Sequence, residues 1–390
     1  MNAETMHRGV SLLVSTLCLC LLIPHLAGQA TVIVDIAGLD PDKGELTRVH
    51  GFDGDGRFGT PVAGPMDMDG DGHADFAVSY MRASPLGRLG AGEVDLVFGR
   101  GAIGKIIDTS QPQERVLKQA GDVLAEATGS EIWIDDVTGD GLGDLLIGRQ
   151  NHTPGGSEAD PRIGAGALSI VVGGAWLRSF SAGLGYLDLR NPDPSIPILT
   201  IVGREALDRF GIWVRTGDVD GDKVSDMVVG ADQEDSGGEK NSGAAYVIRG
   251  GPHLAAAGWI DLGDWTSSLL AGHLARLRPP SGATGFHLGS TCQIADLDNN
   301  NRGEVLVSAA LNRAGATISP SGGSGSTRGT GGAPNGHVYI AWDHNFPAAP
   351  WPTDQDIDLS AGTESEHRHP RRIRQSDFWG GDRWRFGPRW

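Results

Sequence analysis

The stretch DMDGDGHAD, residues 67–75, sets four aspartates in nine positions and separates them with two glycines. Two carboxylates about 4 Å apart repel by roughly 4 kcal/mol at an effective dielectric near 20, so four of them need a compensating charge. The stretch recurs as DVTGDGLGD at 136–144, DVDGDKVSD at 218–226 and DLDNNNRGE at 296–304, with starts 69, 82 and 78 residues apart. Each copy carries oxygen-bearing side chains at its first, third, fifth and ninth positions. Recurrence at such a period marks a repeat architecture.

The composition agrees. Sixty glycines and 21 prolines with 6 % aromatics in 390 residues suit a turn-rich β protein. The length holds two or three ordinary domains or one large repeat domain. The net charge is −17, and the four nonapeptides hold fourteen of the acids (four, three, four and three), so that without them the balance is −3. The acidity belongs to the motifs and calls for a cation. Nothing in the charge pattern favours a nucleic acid partner.

The chain opens with Arg8, the apolar run VSLLVSTLCLCLLI, Pro24 and small residues to Ala30. Residues 1–30 are expected to be a secretory signal peptide, placing the mature protein outside the cell, at its surface or in a periplasm. A membrane anchor needs about 20 apolar residues, and this run ends sooner, so no span is expected after cleavage. Cys18 and Cys20 leave with the signal, and Cys292 then stands alone. An exported chain with no internal disulfide needs another fastener for its loops.

What flanks each acidic run decides its setting. A calcium-binding helix–loop–helix places Glu at position 12, whereas these loops have Val78, Ile147, Val229 and Val307 there. FAV, LLIG, MVVG and VLVS follow the last acid, and EIWI and GIWV precede the second and third loops. These short apolar pieces predict strands, so each run is the turn of a hairpin. Upstream lie Phe58–Gly59, Thr128–Gly129, Phe210–Gly211 and Leu288–Gly289. Downstream, GEVDLVFG, GALSIVVG, GAAYVIRG and GHVYIAWD alternate like strands, and fourth elements end at Asp108, Asp188, Asp261 and Asp358. Four units of four strands, antiparallel throughout, cannot each bury both faces alone. Stacked radially they make an all-β fold, a β-propeller of four-stranded antiparallel blades.

The combination of FG, D-x-D-x-D-G-x-x-D, an apolar strand and G-A resembles the FG-GAP repeat. That repeat builds the propeller of integrin α chains, a similar module in glycosylphosphatidylinositol-specific phospholipase D, and many bacterial exported proteins. The resemblance covers about residues 46–359, with repeats near 46–110, 115–190, 197–263 and 268–360 in a propeller spanning 31–365. Family propellers usually have seven blades, against four copies counted here. The G-A-P signature survives only as Gly230-Ala231-Asp232, Thr138 stands where an acid is usual, and the fourth loop has Asn300 and Glu304.

The donor set is that of calcium, which takes six to eight hard oxygens in a forgiving geometry. The expected ligands are Asp67, Asp69, Asp71 and Asp75; Asp136, Thr138, Asp140 and Asp144; Asp218, Asp220, Asp222 and Asp226; and Asp296, Asp298, Asn300 and Glu304. The carbonyls of His73, Leu142, Val224 and Arg302, at position seven, complete the cages of up to four Ca²⁺. Loops one and three, each with four acids, are expected to bind most tightly and loop two most weakly.

Alternating turns put the acidic loops at one end of the sheets and the connections 79–91, 149–165, 231–242 and 309–335 at the other. Loops held by a rigid scaffold commonly bind partners. The resemblance implies a binding or adhesion module for protein or glycan on that opposite face, with a hydrolase scaffold as the second reading. A catalytic constellation is not found. GRGAIGK at 99–105 imitates a phosphate loop but lacks its Ser/Thr and a following helix; G-x-S-x-G and H-E-x-x-H are missing, and the histidines are scattered. Residues 366–390, rich in arginine and tryptophan, form a basic–aromatic tail to which no role is assigned, expected to be disordered.

Overall fold

The computed structural model describes residues 39, 43, 46–51, 56–100, 106–110, 115–154, 162–181, 186–310, 336–348, 350–352 and 355–359. The expected signal segment, most of GRGAIGK, the glycine- and serine-rich stretch 315–335 and the basic tail lie outside them. Two compact units are present. The smaller, Met1–Val49 with Ile103–Ile107, holds most of a two-stranded pairing of Arg48–His50 with Ile106–Asp108. The larger, His50–Ala102 with Asp108–Trp390, holds four sheets among its described residues. Among the described residues no helix is long and apolar enough to cross a membrane.

The first sheet orders Tyr186–Asp188, Val116–Ala120, Glu93–Val97, Asp75–Tyr80 and Val62–Met66. The second orders Gly258–Asp261, Ile198–Val202, Ala167–Val171, Asp144–Arg149 and Thr128–Asp135. The third runs Val214–Gly217, Asp226–Ala231, Ala244–Ile248, Leu274–Arg278 and Gln355–Asp358. The fourth has Leu288–Ala295, Glu304–Ala309 and His337–Ala341. The protein is all-β in several multi-stranded sheets, consistent with a β-propeller.

Four strands per sheet, all antiparallel, is corrected. Three sheets have five strands, and in each the fifth is parallel and comes from further along the chain. Tyr186 pairs with Lys118, Leu199 with Gly258 and Ala275 with Gln355 across these parallel ladders. VLKQA, ILTIV and LARLR, unassigned above, are the fourth strands. The pieces at Asp188, Asp261 and Asp358 belong beside them, in the sheet of the preceding repeat. A parallel neighbour is reached by a long crossover, not a hairpin, so no local turn signal announces it. Arginines clasp these edges: Arg88 donates to both carboxylate oxygens of Asp188 at 2.6 Å each, and Arg162 to Asp261 at 2.7 Å. Arg276 does the same for Asp356 at 2.7 and 2.8 Å.

Three apolar clusters bind successive sheets in pairs. Strand Asp144–Arg149 is buried along its whole length. Leu145 and Ile147 pack with Val94 and Leu96 of the first sheet, and Leu146 on the other face packs with Val229 and Tyr246 of the third. A third cluster joins Val228 and Val247 to Val305 and Val307. Full burial of each such side chain is worth about 1.5–3 kcal/mol.

Backbone contacts at one end of the sheets explain the two glycine signatures. Phe210 N–H donates to Ala165 O at 3.0 Å, and Gly203 N–H to Gly166 O at 2.9 Å. A Cβ on Gly166 would lie 2.2 Å from Phe210 O, and one on Gly243 would lie 2.2 Å from Leu288 O. The glycine after each of the first three connections is therefore where the next sheet's FG backbone crosses, too close for any side chain.

Candidate metal centre

Each acidic loop joins the first two strands of its sheet, with strands on both sides and no helix after it. The four share one hydrogen-bond plan. The first aspartate lies under the turn and accepts backbone amides with both oxygens. Asp67 takes Gly70 and Gly72 at 2.8 Å each, and Asp218 takes Gly221 at 2.6 Å and Lys223 at 2.9 Å. Asp136 accepts from Gly139, Asp140 and Gly141, and Asp296 from Asn300 and Asn301. The fifth side chain accepts from the seventh N–H. His73 donates to Asp71, Leu142 to Asp140 and Val224 to Asp222 at 2.9 Å, and Arg302 to Asn300 at 2.8 Å.

The ninth acid ties the hairpin to the third strand. Asp75 accepts Met68 N–H at 2.8 Å and Gly99 N–H at 2.9 Å. Asp144 accepts Val137, Thr138 and Gly173, and Asp226 accepts Val219 and Gly250. Amides supply hydrogen bonds but no net charge. Burial therefore pushes the carboxyls up, Asp144 to about 6 and Asp226 to about 7, with Asp220 and Asp222 adding to the latter. Glu304 differs, because Oε2 accepts Leu297 N–H at 2.7 Å while the buried Oε1 has no hydrogen-bond partner.

Three loops bring carboxylates together. Asp67, Asp69 and Asp71 offer oxygens within 4.8 Å of one another, as do Asp218, Asp220 and Asp226, and Asp296, Asp298 and Glu304. Oxygens at that spacing suit a cation bound at about 2.3–2.6 Å, and the unpaired Glu304 oxygen is a donor with no other use. The residues present therefore fit a hard divalent ion. The second loop, with Thr138 at its third position, is not among these groups of acids. Asp75 and Asp222 lie outside the groups in their own loops; Asp75 braces the hairpin and Asp222 meets Arg249.

Contacts between loops were not foreseen from the sequence. Gly143 N–H donates to Asp67 O at 2.8 Å, Ser225 to Asp136 O at 3.4 Å and Gly303 to Asp218 O at 2.6 Å. From the second loop on, the seventh side chain covers the previous loop's glycine: Leu142 lies over Gly70, Val224 over Gly139 and Arg302 over Gly221. The four loops thus form one ladder. Arg100 and Arg249 were also missed, and both donate to cage carboxylates: Arg100 to Asp69 at 3.1 Å and Arg249 to Asp220 at 2.5 Å. A signal existed, since each is a basic residue just past the third strand.

An FG-GAP repeat model matches residues 210–248, which contain the third loop. The chain is 26 % identical over 205 residues to phosphatidylinositol-glycan-specific phospholipase D of Bos taurus, covering 51 % of this chain and 22 % of that protein. It is 26 % identical over 188 residues to integrin alpha-PS2 of Drosophila melanogaster, covering 48 % and 11 % respectively. With integrin alpha-5 of Xenopus laevis the identity is 28 % over 194 residues, 49 % of this chain and 15 % of the relative. The chain thus spans less than a quarter of the length of each of these relatives.

Proposed function

We propose that this FG-GAP repeat protein, which resembles integrin α chains over about half its length, is an exported binding module whose sheets are fastened by calcium. Convergent carboxylates in three of the four loops, held by one hydrogen-bond plan, carry the reading, and the unpaired oxygen of Glu304 sharpens it. A bound calcium supplies the positive charge that the amides lack. The chain's own part is to hold the oxygens: the first acid shapes the turn and, with the third, belongs to each convergent group, while the fifth (Asp71) or the ninth (Asp226, Glu304) completes it. The loops being joined in a ladder, ordering one orders its neighbour, which is how ions take the place of disulfides.

The partner on this reading is a protein or glycan, engaged by the connections at the opposite end of the sheets. A scaffold within a hydrolase is the second reading, favoured by the phospholipase relative. Calorimetric titration with calcium, followed by melting in calcium and in chelator, tests the fastener. Identical melts remove it. Glycan- and protein-array binding, set beside a phosphodiester hydrolysis assay of the same preparation, separates the two functional readings.

A further inference from the structure

The third strand of each sheet returns to its acidic loop, and in two of the four it delivers an arginine there. Arg249, directly after Ala244–Ile248, donates from Nε to Asp220 Oδ2 and from Nη2 to Asp222 Oδ2, both at 2.5 Å. Arg100 donates from Nη2 to Asp69 Oδ2 at 3.1 Å, while its Nε stands 3.9 Å from Asp71 Oδ2. The second loop meets Val172, Gly173 and Gly174 at the corresponding positions, and the fourth meets Trp342 and Asp343. The fourth loop's own Arg302 points elsewhere, to the carbonyls of Val219, Asp343 and Phe346.

The loops that receive an arginine are the two with four acids. Counting the side chains that touch the cage carboxylates, four acids less one arginine leaves three negative charges in loops one and three. Loops two and four hold three acids each and no arginine on those acids, so by this count, from which Lys223 and Arg302 drop out because neither is paired with a cage carboxylate, the four loops come to the same charge. An exposed ion pair would carry little weight. This one is not exposed, with the Arg249 side chain 17 % and Asp220 0 % accessible. The guanidinium also bridges two carboxylates, one charge-assisted hydrogen bond to each, which a lysine cannot reproduce with the same planar geometry.

Asp220 and Asp69 each belong to a group whose oxygens converge within 4.8 Å, so cation and arginine address the same carboxylate. Resting on the calcium reading above, we propose that Arg249, and Arg100 more weakly, is a built-in counter-ion. It competes with the divalent cation for the third-position carboxylate and brings the affinity of loops one and three down to that of the three-acid loops. The acid count alone, which ranked those loops tightest, omits this charge. A like charge inside the cage repels an arriving cation, and a guanidinium already paired must give up its hydrogen bonds.

The test is calcium titration by calorimetry of the wild-type protein, R249Q, R249K and R100Q, with melts of each in chelator. In R249Q one site is expected to tighten at least tenfold, while the melting temperature in chelator falls. R249K, a point charge without the fork, falls between wild type and R249Q, and R100Q shows the same change more weakly. Should R249Q fold only with calcium, chelator-competition titration of R249K against wild type gives the same comparison. Weaker binding in R249Q overturns the proposal and makes Arg249 a positioning residue for the acids. Unchanged binding overturns it and makes the pair a bystander. In both of those cases wild-type calcium binding leaves the calcium reading intact, whereas a wild-type protein that takes up no calcium removes both.

Discussion

Strand Asp144–Arg149 begins with a carboxylate and ends with a guanidinium, and the two ends of the sheets treat buried charge differently. At the loop end Asp144 is held by the amides of Val137, Thr138 and Gly173, and burial pushes it up to about 6. At the other end Arg149 Nε donates to Glu126 Oε1 at 2.6 Å, and His152 Nδ1 lies 2.8 Å from the same oxygen. Burial alone would raise Glu126, but the Arg149 charge and the His152 contact hold it down to about 2. Dipoles satisfy hydrogen bonds without neutralising charge. One end therefore pairs its buried carboxylate with its own counter-ions, whereas at the loop end Arg100 and Arg249 offset only part of the carboxylate charge. The third sheet is intermediate, since Glu234 meets Tyr246 and Arg276 while burial and Glu234 push nearby Asp208 up to about 8.

Removing calcium is expected to have the largest effect, confined to the loop end. Each site at a hundred times its dissociation constant adds about 2.7 kcal/mol, and the sum over several sites corresponds to a fall of about 10–20 °C in melting temperature. Scanning calorimetry with and without chelator measures it.

Glu126→Ala breaks the self-sufficient end. It leaves the fully buried Arg149 with Asp122, at 3.7 Å, as its remaining carboxylate and should cost about 3 kcal/mol in calcium and chelator alike. A cost that vanishes in calcium would show the two ends to be one system. The pH dependence follows from a depressed carboxyl: the Glu126 contribution is complete above the unfolded value near 4.5 and is lost as pH falls towards 2. Glu126→Gln should flatten that acid limb in denaturant melts.

The loop end has the opposite sign. Asp144 and Asp226 are raised above the unfolded value near 3.8, so the native state without metal binds extra protons between about pH 4 and 7. Its stability falls as pH rises through that window. A cation taken up by these carboxylates would displace those protons, so the shift in melting temperature that calcium produces should be greater at pH 8 than at pH 5. Equal shifts at both values would sever the link between the ninth acid and the metal.

The smallest effect belongs to the edge clasps. Arg88→Gln removes a part-exposed bidentate pair with Asp188 and should cost about 1 kcal/mol or less, seen as earlier amide exchange along Tyr186–Asp188. Loss of exchange protection throughout the first sheet would show that the parallel strand is essential to it.

The hairpin setting of the acidic loops was legible because it is local. Four oxygen-bearing positions and two flanking apolar runs lie within about twenty residues, and their spacing recurs. The parallel edge strands were not legible, because Lys118 and Tyr186 meet across 68 residues with no turn to mark the pairing. The division of labour inside each loop was also hidden. Sequence offered Asp67 and Asp75 as equivalent ligands, whereas Asp67 both shapes the turn and joins the convergent group while Asp75 lies outside it and locks the third strand through Gly99 N–H.

By itself the sequence determined the class of element and the recurring acidic turn between strands, since those follow from alternation, glycine placement and donor chemistry over short stretches. Only the tertiary structure decided which strand completes which sheet, how each loop leans on the next, and where Arg100 and Arg249 place their charge. Those depend on residues far apart in the chain arriving within a few ångströms, and hydrogen bonds and Coulomb forces act on distance in space, which spacing along the chain does not encode.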